Sequence, residues 1–242
     1  MGSNNTHSVN VRLNKYIAES GFASRRKAEE YIIQGRVIIN GKVVKELSTK
    51  VDPFNDVVYV DDVKLKKKNK IYFLLNKPKG FITSTSDEKN RNTVVDLINT
   101  REKIFPVGRL DYNTTGVIML TNDGEFSNRI THPKNSFKRV YIVKIDKDLQ
   151  VKDKEQFLSG IYLDKRKGVF TDVSYVKERN YKLVRVTTVE GRNHFVKRMF
   201  SSLGYRVMEL ERESFGGITT EGLKQGEYKI LSYNEIKNLM EK

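Results

Sequence analysis

The 242-residue chain contains no cysteine. Disulfides, thiol nucleophiles and thiolate metal sites are thereby excluded together, and a reducing, cytoplasmic setting is the natural expectation. Histidine is nearly as scarce. His7, His132 and His194 lie far apart, so no zinc or iron site of ordinary ligand spacing is offered. Long apolar runs are missing too: no stretch approaches the ~20 apolar residues of a membrane helix, and no membrane association is expected. Met1 to Asn10 has neither a basic flank with an apolar run nor an Arg-rich amphipathic pattern, which excludes a secretory or transit signal. Residues 1–10 are expected to form a disordered tail. G-x-G-x-x-G and P-loop patterns do not occur, strands and helices do not alternate regularly, and no repeat of fixed period is present.

What is abundant is positive charge: 45 Lys and Arg against 30 Asp and Glu leave a net +15. Such an excess favours a polyanion. Nucleic acid is the first candidate because each neutralised phosphate releases counterions, whereas a membrane surface would call for an amphipathic basic helix that the chain lacks. The competing reading is a lysine-rich composition with no RNA partner.

Leu13, Tyr16 and Ile17, then Ala28, Tyr31 and Ile32, follow the i, i+3, i+4 spacing of one helix face. Two short helices are implied, with Gly21 ending the first, Ser24 capping the second and Gly35 ending it. Arg36 to Val44 reads as two β-runs around Asn40-Gly41, a pair that supplies the positive φ angles of a tight hairpin, and Val57 to Val60 adds a strand. The basic run Lys66 to Lys70 then marks a boundary between a small α/β module over 11–65 and a second domain over 71–242. In that second domain β-runs fall at 71–75, 116–121, 140–145, 181–189 and 205–210, with helical patterns at 93–98, 151–158, 193–203 and 234–240. The class is α+β with a mixed, largely antiparallel sheet.

Ser24-Arg25-Arg26-Lys27 puts three cations in the first turn of a helix, the end where the dipole prefers negative charge. The placement asks for an anion, and exposed amides beside Arg forks make a phosphate site; the alternative is a solvated charged face. In the second domain, Phe105 to Gly116 is a loop rich in turn formers between an apolar helix and a strand. From the residues alone Asp111 reads most simply as a turn residue whose carboxylate bonds nearby amides.

Arg12-Leu13-Asn14-Lys15-Tyr16-Ile17, Gly21 to Glu29, Gly35-Arg36-Val37 and Asn40-Gly41 together resemble the S-four type RNA-binding domain of ribosomal proteins and RNA-modifying enzymes. Gly108-Arg109-Leu110-Asp111, followed by a small-residue loop, Gly116, an apolar strand and Thr121-Asn122-Asp123-Gly124, resembles the catalytic motif of bacterial pseudouridine synthases of the RsuA/RluB branch. Asn76-Lys77-Pro78-Lys79-Gly80, His132-Pro133, Arg139-Val140-Tyr141, Glu190-Gly191-Arg192-Asn193-His194 and Leu223 to Glu227 agree in order and spacing. Phe195 departs from the pattern, standing where that family usually carries Gln.

The resemblance implies a catalytic carboxylate at Asp111, a tyrosine packing on the target base at Tyr141, and a basic partner of the carboxylate at Lys197. It implies ribosomal RNA or a ribosomal-subunit precursor as substrate, more readily the large subunit, and a monomer that needs no cofactor and no metal, because the uracil is detached, turned and rejoined to the same sugar without oxidation. Ser24, Arg25, Arg26, Lys27, Arg36, Arg109, Arg192 and Arg198 are the candidate RNA contacts. Helical geometry adds an independent statement: Lys197 lies on the flank of the apolar stripe Val196, Met199, Phe200 and Leu203, and Arg198 points away from it toward solvent or RNA. Two other functions fit such a chain, a non-catalytic ribosome-assembly factor and a glycosylase that releases free base.

Overall fold

The computed structural model describes residues 10–241; the tail expected over 1–10 lies, apart from Asn10, outside the described residues. The chain divides into two compact units, 1–70 and 71–242.

In the first unit the elements run β1 (Val11–Arg12), α1 (Leu13–Glu19), α2 (Arg25–Ile33), β2 (Val37–Ile39), β3 (Lys42–Val44), β4 (Lys50–Val51), β5 (Val58–Val60) and β6 (Val63–Lys64). Gly21 and Gly35 sit at φ +73° and +71°, just past the two helices, where a left-handed residue closes the last turn. Ser24 Oγ accepts from the Lys27 amide at 3.2 Å. Asn40 and Gly41 both have positive φ, and Ile39 faces Lys42 across the hairpin they close. Leu13, Ile17, Ala28, Ile32, Val37 and Val60 are buried together, so the helix stripes pack on the sheet. Each fully buried aliphatic side chain contributes about 2 kcal/mol to a core this small.

The second unit contains β7 (Tyr72–Lys77), β8 (Phe105–Val107), β9 (Thr115–Thr121), α3 (Gly124–Thr131), β10 (Arg139–Ile145), α4 (Val151–Ser159), β11 (Ile161–Leu163), β12 (Arg166–Gly168), β13 (Asp172–Tyr175), β14 (Leu183–Thr188), α5 (Phe195–Ser202), β15 (Val207–Phe215), β16 (Ile218–Thr219), β17 (Tyr228–Ile230) and α6 (Tyr233–Met240). Its main sheet runs β13-β14-β10-β15-β9-β7-β17, with β16 on β15 and β8 on β9. Every pairing is antiparallel except β15 with β9. Successive side chains of a strand face opposite sides. Phe73, Leu75, Ile118 and Leu120 accordingly pack with Phe157, Phe200 and Met199 of α4 and α5. Leu74, Val117 and Met119 pack with Phe126, Ile130, Ile236 and Leu239 of α3 and α6. With both faces covered, β9 is buried along its whole length, which is why its sequence is a continuous apolar run.

Two sequence expectations fail here. Residues 93–98 form turns, not a helix: the Asp96 carboxylate accepts from Thr93 N at 2.7 Å and Thr93 Oγ1 at 3.0 Å, and Thr93 bridges to Ile82. A six-residue segment rich in β-branched residues offers too few helical bonds to repay nucleation, so local side-chain bonds win. The start of the supposed loop, Phe105–Val107, is an added strand on β9. No described helix is long and apolar enough to cross a membrane.

Candidate active site

Asp111 sits in the connection between β8 and β9, and an inner scaffold of hydrogen bonds holds that connection. Lys77, the last residue of β7, is fully buried. Its ammonium donates to the carbonyls of Thr114 (2.9 Å), Pro78 (3.0 Å), Asp111 (3.1 Å) and Tyr112 (3.3 Å). Burial pulls the Lys77 pKa down to about 8, opposed by attraction to Asp111 and assisted by the charges of Arg212 and Lys197. Thr83 Oγ1 donates to the Leu110 carbonyl at 2.7 Å, and the Gly80 amide donates to Tyr112 O at 3.0 Å. Gly116, the second residue of β9, has φ +98° and stands where a Cβ would lie 2.2 Å from the Arg212 carbonyl. Only glycine allows β9 to run this close beside β15.

The Asp111 carboxylate is held by α5. Lys197 Nζ donates to Oδ2 at 2.6 Å, and His194 Nε2 lies 3.3 Å from Oδ1. Lys197 is about one-third exposed, as its place on the flank of the apolar stripe requires. The helix begins at Phe195, two residues later than the apolar pattern suggests, because His194 adopts φ +50°. That left-handed residue carries the ring back to the carboxylate.

Beside Asp111 opens a cleft of about 290 Å³. Arg139 and Tyr141 of β10, and Leu210 and Arg212 of β15, line it; each pair is two apart in its strand and therefore shares a face. Tyr141 stands opposite Arg212 across the two strands. The Arg139 and Arg212 guanidiniums flank the Phe215 ring at 4.7 and 4.8 Å. Arg139 donates to Val189 O at 2.6 Å and Phe137 O at 3.0 Å, and Arg212 Nε donates to Val117 O at 2.8 Å, while Arg212 Nη2 is buried with no partner among the described residues. Burial lowers the pKa of both arginines. Exposed Arg109 adds charge at the rim. The cleft wall is cationic, suited to an anionic ligand such as a nucleotide. Among the described residues no group of three or more His, Cys, Asp or Glu side chains could hold a metal ion.

The other expected RNA contacts fall into two sets. Ser24, Arg25 and Arg26 are exposed at the start of α2, and the two arginines have no carboxylate partner among the described residues. Lys27 pairs with Glu30 at 2.5 Å. Arg36 is held by Asp61 and stacks over Tyr31 at 4.1 Å. On the catalytic unit, Arg192 bonds Glu190 at 2.5 Å and the carbonyl of Leu163 at 3.3 Å. Arg198, expected to face solvent or RNA, lies at the surface about one-third exposed and is bonded there to the exposed Asp164. Lys77, His194, Arg139 and Arg212 were not singled out as site residues from the sequence. Lys77, Arg139 and His194 each had one signal, a place inside a segment that resembles the family; Arg212 acquires its place only through contacts distant in the chain.

A largely antiparallel sheet bearing a cationic cleft of nucleotide size, on a chain with exposed arginines at a helix start, defines a class of enzyme that acts on RNA. Comparison with known proteins narrows the class. Residues 71–202 match the family model described as RNA pseudouridylate synthase, and residues 11–69 match the S4 domain. The chain is 41% identical over 233 residues to the ribosomal large subunit pseudouridine synthase B of Bacillus subtilis, covering 94% of this chain and 95% of that one. It is 36% identical to the ribosomal small subunit pseudouridine synthase A of Escherichia coli, covering 95% and 100%. A crystal structure of a pseudouridylate synthase superposes with a TM-score of 0.67 at 35% identity, covering 95% of this chain and 99% of that one. The chain belongs to the RNA pseudouridylate synthase family: it is a pseudouridine-forming isomerase with an S4 RNA-binding domain in front.

Proposed function

We propose that the protein is a cytoplasmic, monomeric enzyme of the RsuA/RluB branch that converts one uridine of large-subunit ribosomal RNA to pseudouridine, with Asp111 as catalytic carboxylate. The observation that carries the assignment is the 2.6 Å contact of Lys197 with Asp111 at the edge of a cleft lined by Tyr141. In the reaction the bond from N1 of uracil to C1′ breaks, a bond from C5 to C1′ forms, and the proton on C5 leaves as N1 gains one. No electrons are transferred to a second molecule. Asp111 is the nucleophile or base, and the Lys197 ammonium bonded to its carboxylate at 2.6 Å fixes its orientation beside the cleft. Tyr141 stacks on the extruded uracil and offsets part of the cost of unstacking it. The large-subunit assignment is supported by the greater identity to the Bacillus subtilis large-subunit enzyme than to the Escherichia coli small-subunit one.

Mapping pseudouridines in ribosomal RNA from cells with and without this protein tests the reading. The expected result is one pseudouridine lost from the large-subunit RNA. Loss from the small-subunit RNA would overturn the subunit, release of free uracil by the purified protein would indicate a glycosylase, and unchanged maps would favour a non-catalytic assembly factor.

A further inference from the structure

We infer that the β11–β12 hairpin is an RNA-gripping arm beside the cleft, in which Lys165, Arg166 and Lys167 contact phosphates and Tyr162 stacks on an unpaired base. The inference rests on the RNA substrate proposed above.

The hairpin turns on Asp164-Lys165, both left-handed at φ +50° and +64°. Glycine or asparagine would adopt that turn with less strain, so a lysine at its second position is held there against local preference. Lys165, Arg166 and Lys167 are exposed, and none has a carboxylate partner among the described residues. The single acidic residue of the hairpin, Asp164, is drawn away by Arg198. Three adjacent cations are thus left at the tip with nothing to balance them.

The arm is built into the cleft wall. Gly168 passes so close to α5 that a Cβ would lie 2.6 Å from Phe195 and 3.0 Å from Arg192 and from Met199. Arg192 points into the hairpin, within 3.3 to 3.5 Å of the carbonyls of Leu163, Arg166 and Lys167, and both Arg192 and Phe195 line the cleft. Phe195 packs edge-on against Phe170, just beyond the hairpin, at 5.8 Å. Tyr162 stands opposite Lys167 across the ladder and is 72% exposed, an aromatic face beside a cation. That combination suits single-stranded RNA, whose bases stack while its phosphates pair. Arg192 and Arg198 act here as braces of the arm, and the cations that meet RNA lie on the arm itself.

The test is filter binding and steady-state turnover on a large-subunit ribosomal RNA transcript, with Lys165, Arg166 and Lys167 all changed to Ala. Removing three phosphate contacts should lower the slope of log affinity against log salt by about 2 to 3 and raise Kd about tenfold near 0.1 M salt. KM should rise with kcat within about twofold of the intact protein. Tyr162→Ala should weaken binding about fivefold or more with an unchanged salt slope. Lys165→Gly, which relieves the turn while removing one cation, should fold at least as well and lower the slope by about 1. A control triple, Lys177, Arg179 and Lys182 to Ala in the β13–β14 connection, should leave Kd unchanged. Unchanged affinity and slope in the hairpin variants, an equal loss in the control, or a fall in kcat with KM intact would each overturn the inference. Failure of the intact protein to form pseudouridine would count against the functional reading alone, because the salt slope is read from binding.

Discussion

The starts of α2 and α5 both carry clusters of positive side chains, and the fold uses them differently. At α2, Arg25 and Arg26 are exposed and unpaired among the described residues. At α5, Arg192 is bonded to Glu190 and to hairpin carbonyls, Lys197 to Asp111, and Arg198 to Asp164. The residue types are the same; the difference is what the surrounding backbone offers. A guanidinium surrounded by carbonyls and a carboxylate braces the fold, and one facing water beside free helix amides waits for an anion. A basic cluster is thus left open to an anion only where the structure gives it no internal partners.

Lys77 is the extreme of the braced kind, and it gives the largest expected effect. Its pKa is about 8 in the folded protein against 10.5 when unfolded, so between those values the unfolded chain holds more protons and stability rises with pH. Burying the charge costs stability below pH 8, and the cost disappears toward pH 10.5. Wild type compared with Lys77→Met by urea unfolding should therefore gain about 3 kcal/mol of relative stability across that window. A difference independent of pH would mean that the ammonium is not desolvated as the geometry demands.

A smaller effect separates the two helix starts. Arg25→Ala with Arg26→Ala should lower the salt slope of ribosomal RNA binding by about 2 and leave kcat alone, since two phosphate contacts are lost. Arg198→Gln should change that slope by less than about 0.5, costing at most about 1 kcal/mol in thermal unfolding as a half-exposed ion pair is broken. Equal slopes for the two variants would erase the distinction between free and braced cations.

How much of this was legible beforehand follows from where the information sits. The helices of the S4 domain, the Asn40-Gly41 hairpin and the strands β9 and β10 show in local periodicity and turn chemistry. The helix α3 does not, because it opens on Gly124 and shows one buried i, i+4 pair, Phe126 and Ile130; the Asp123 cap that starts it is visible only when its bonds to Glu125 N and Phe126 N are seen. The β11–β12 hairpin was hidden for the opposite reason: its turn lacks glycine and asparagine, so the run Asp164 to Lys167 reads as solvated charge. Near Asp111, helical geometry alone put Lys197 on the flank of an apolar stripe, and resemblance supplied the roles of Asp111 and Tyr141. The bonds of Lys77 to the carbonyls of Asp111, Tyr112 and Thr114, the approach of His194 and the parallel neighbourhood of β9 and β15 arise from pairings far apart in sequence, which no local pattern carries.

The central claim is that the Asp111 carboxylate, held by Lys197, performs the isomerisation. The direct test is the single-turnover rate of Asp111→Asn on ribosomal RNA, a change that keeps size and removes only charge and nucleophilicity. The account predicts a fall of about 1,000-fold or more with RNA affinity within about threefold of wild type. Pseudouridine formed at close to the wild-type rate would contradict it.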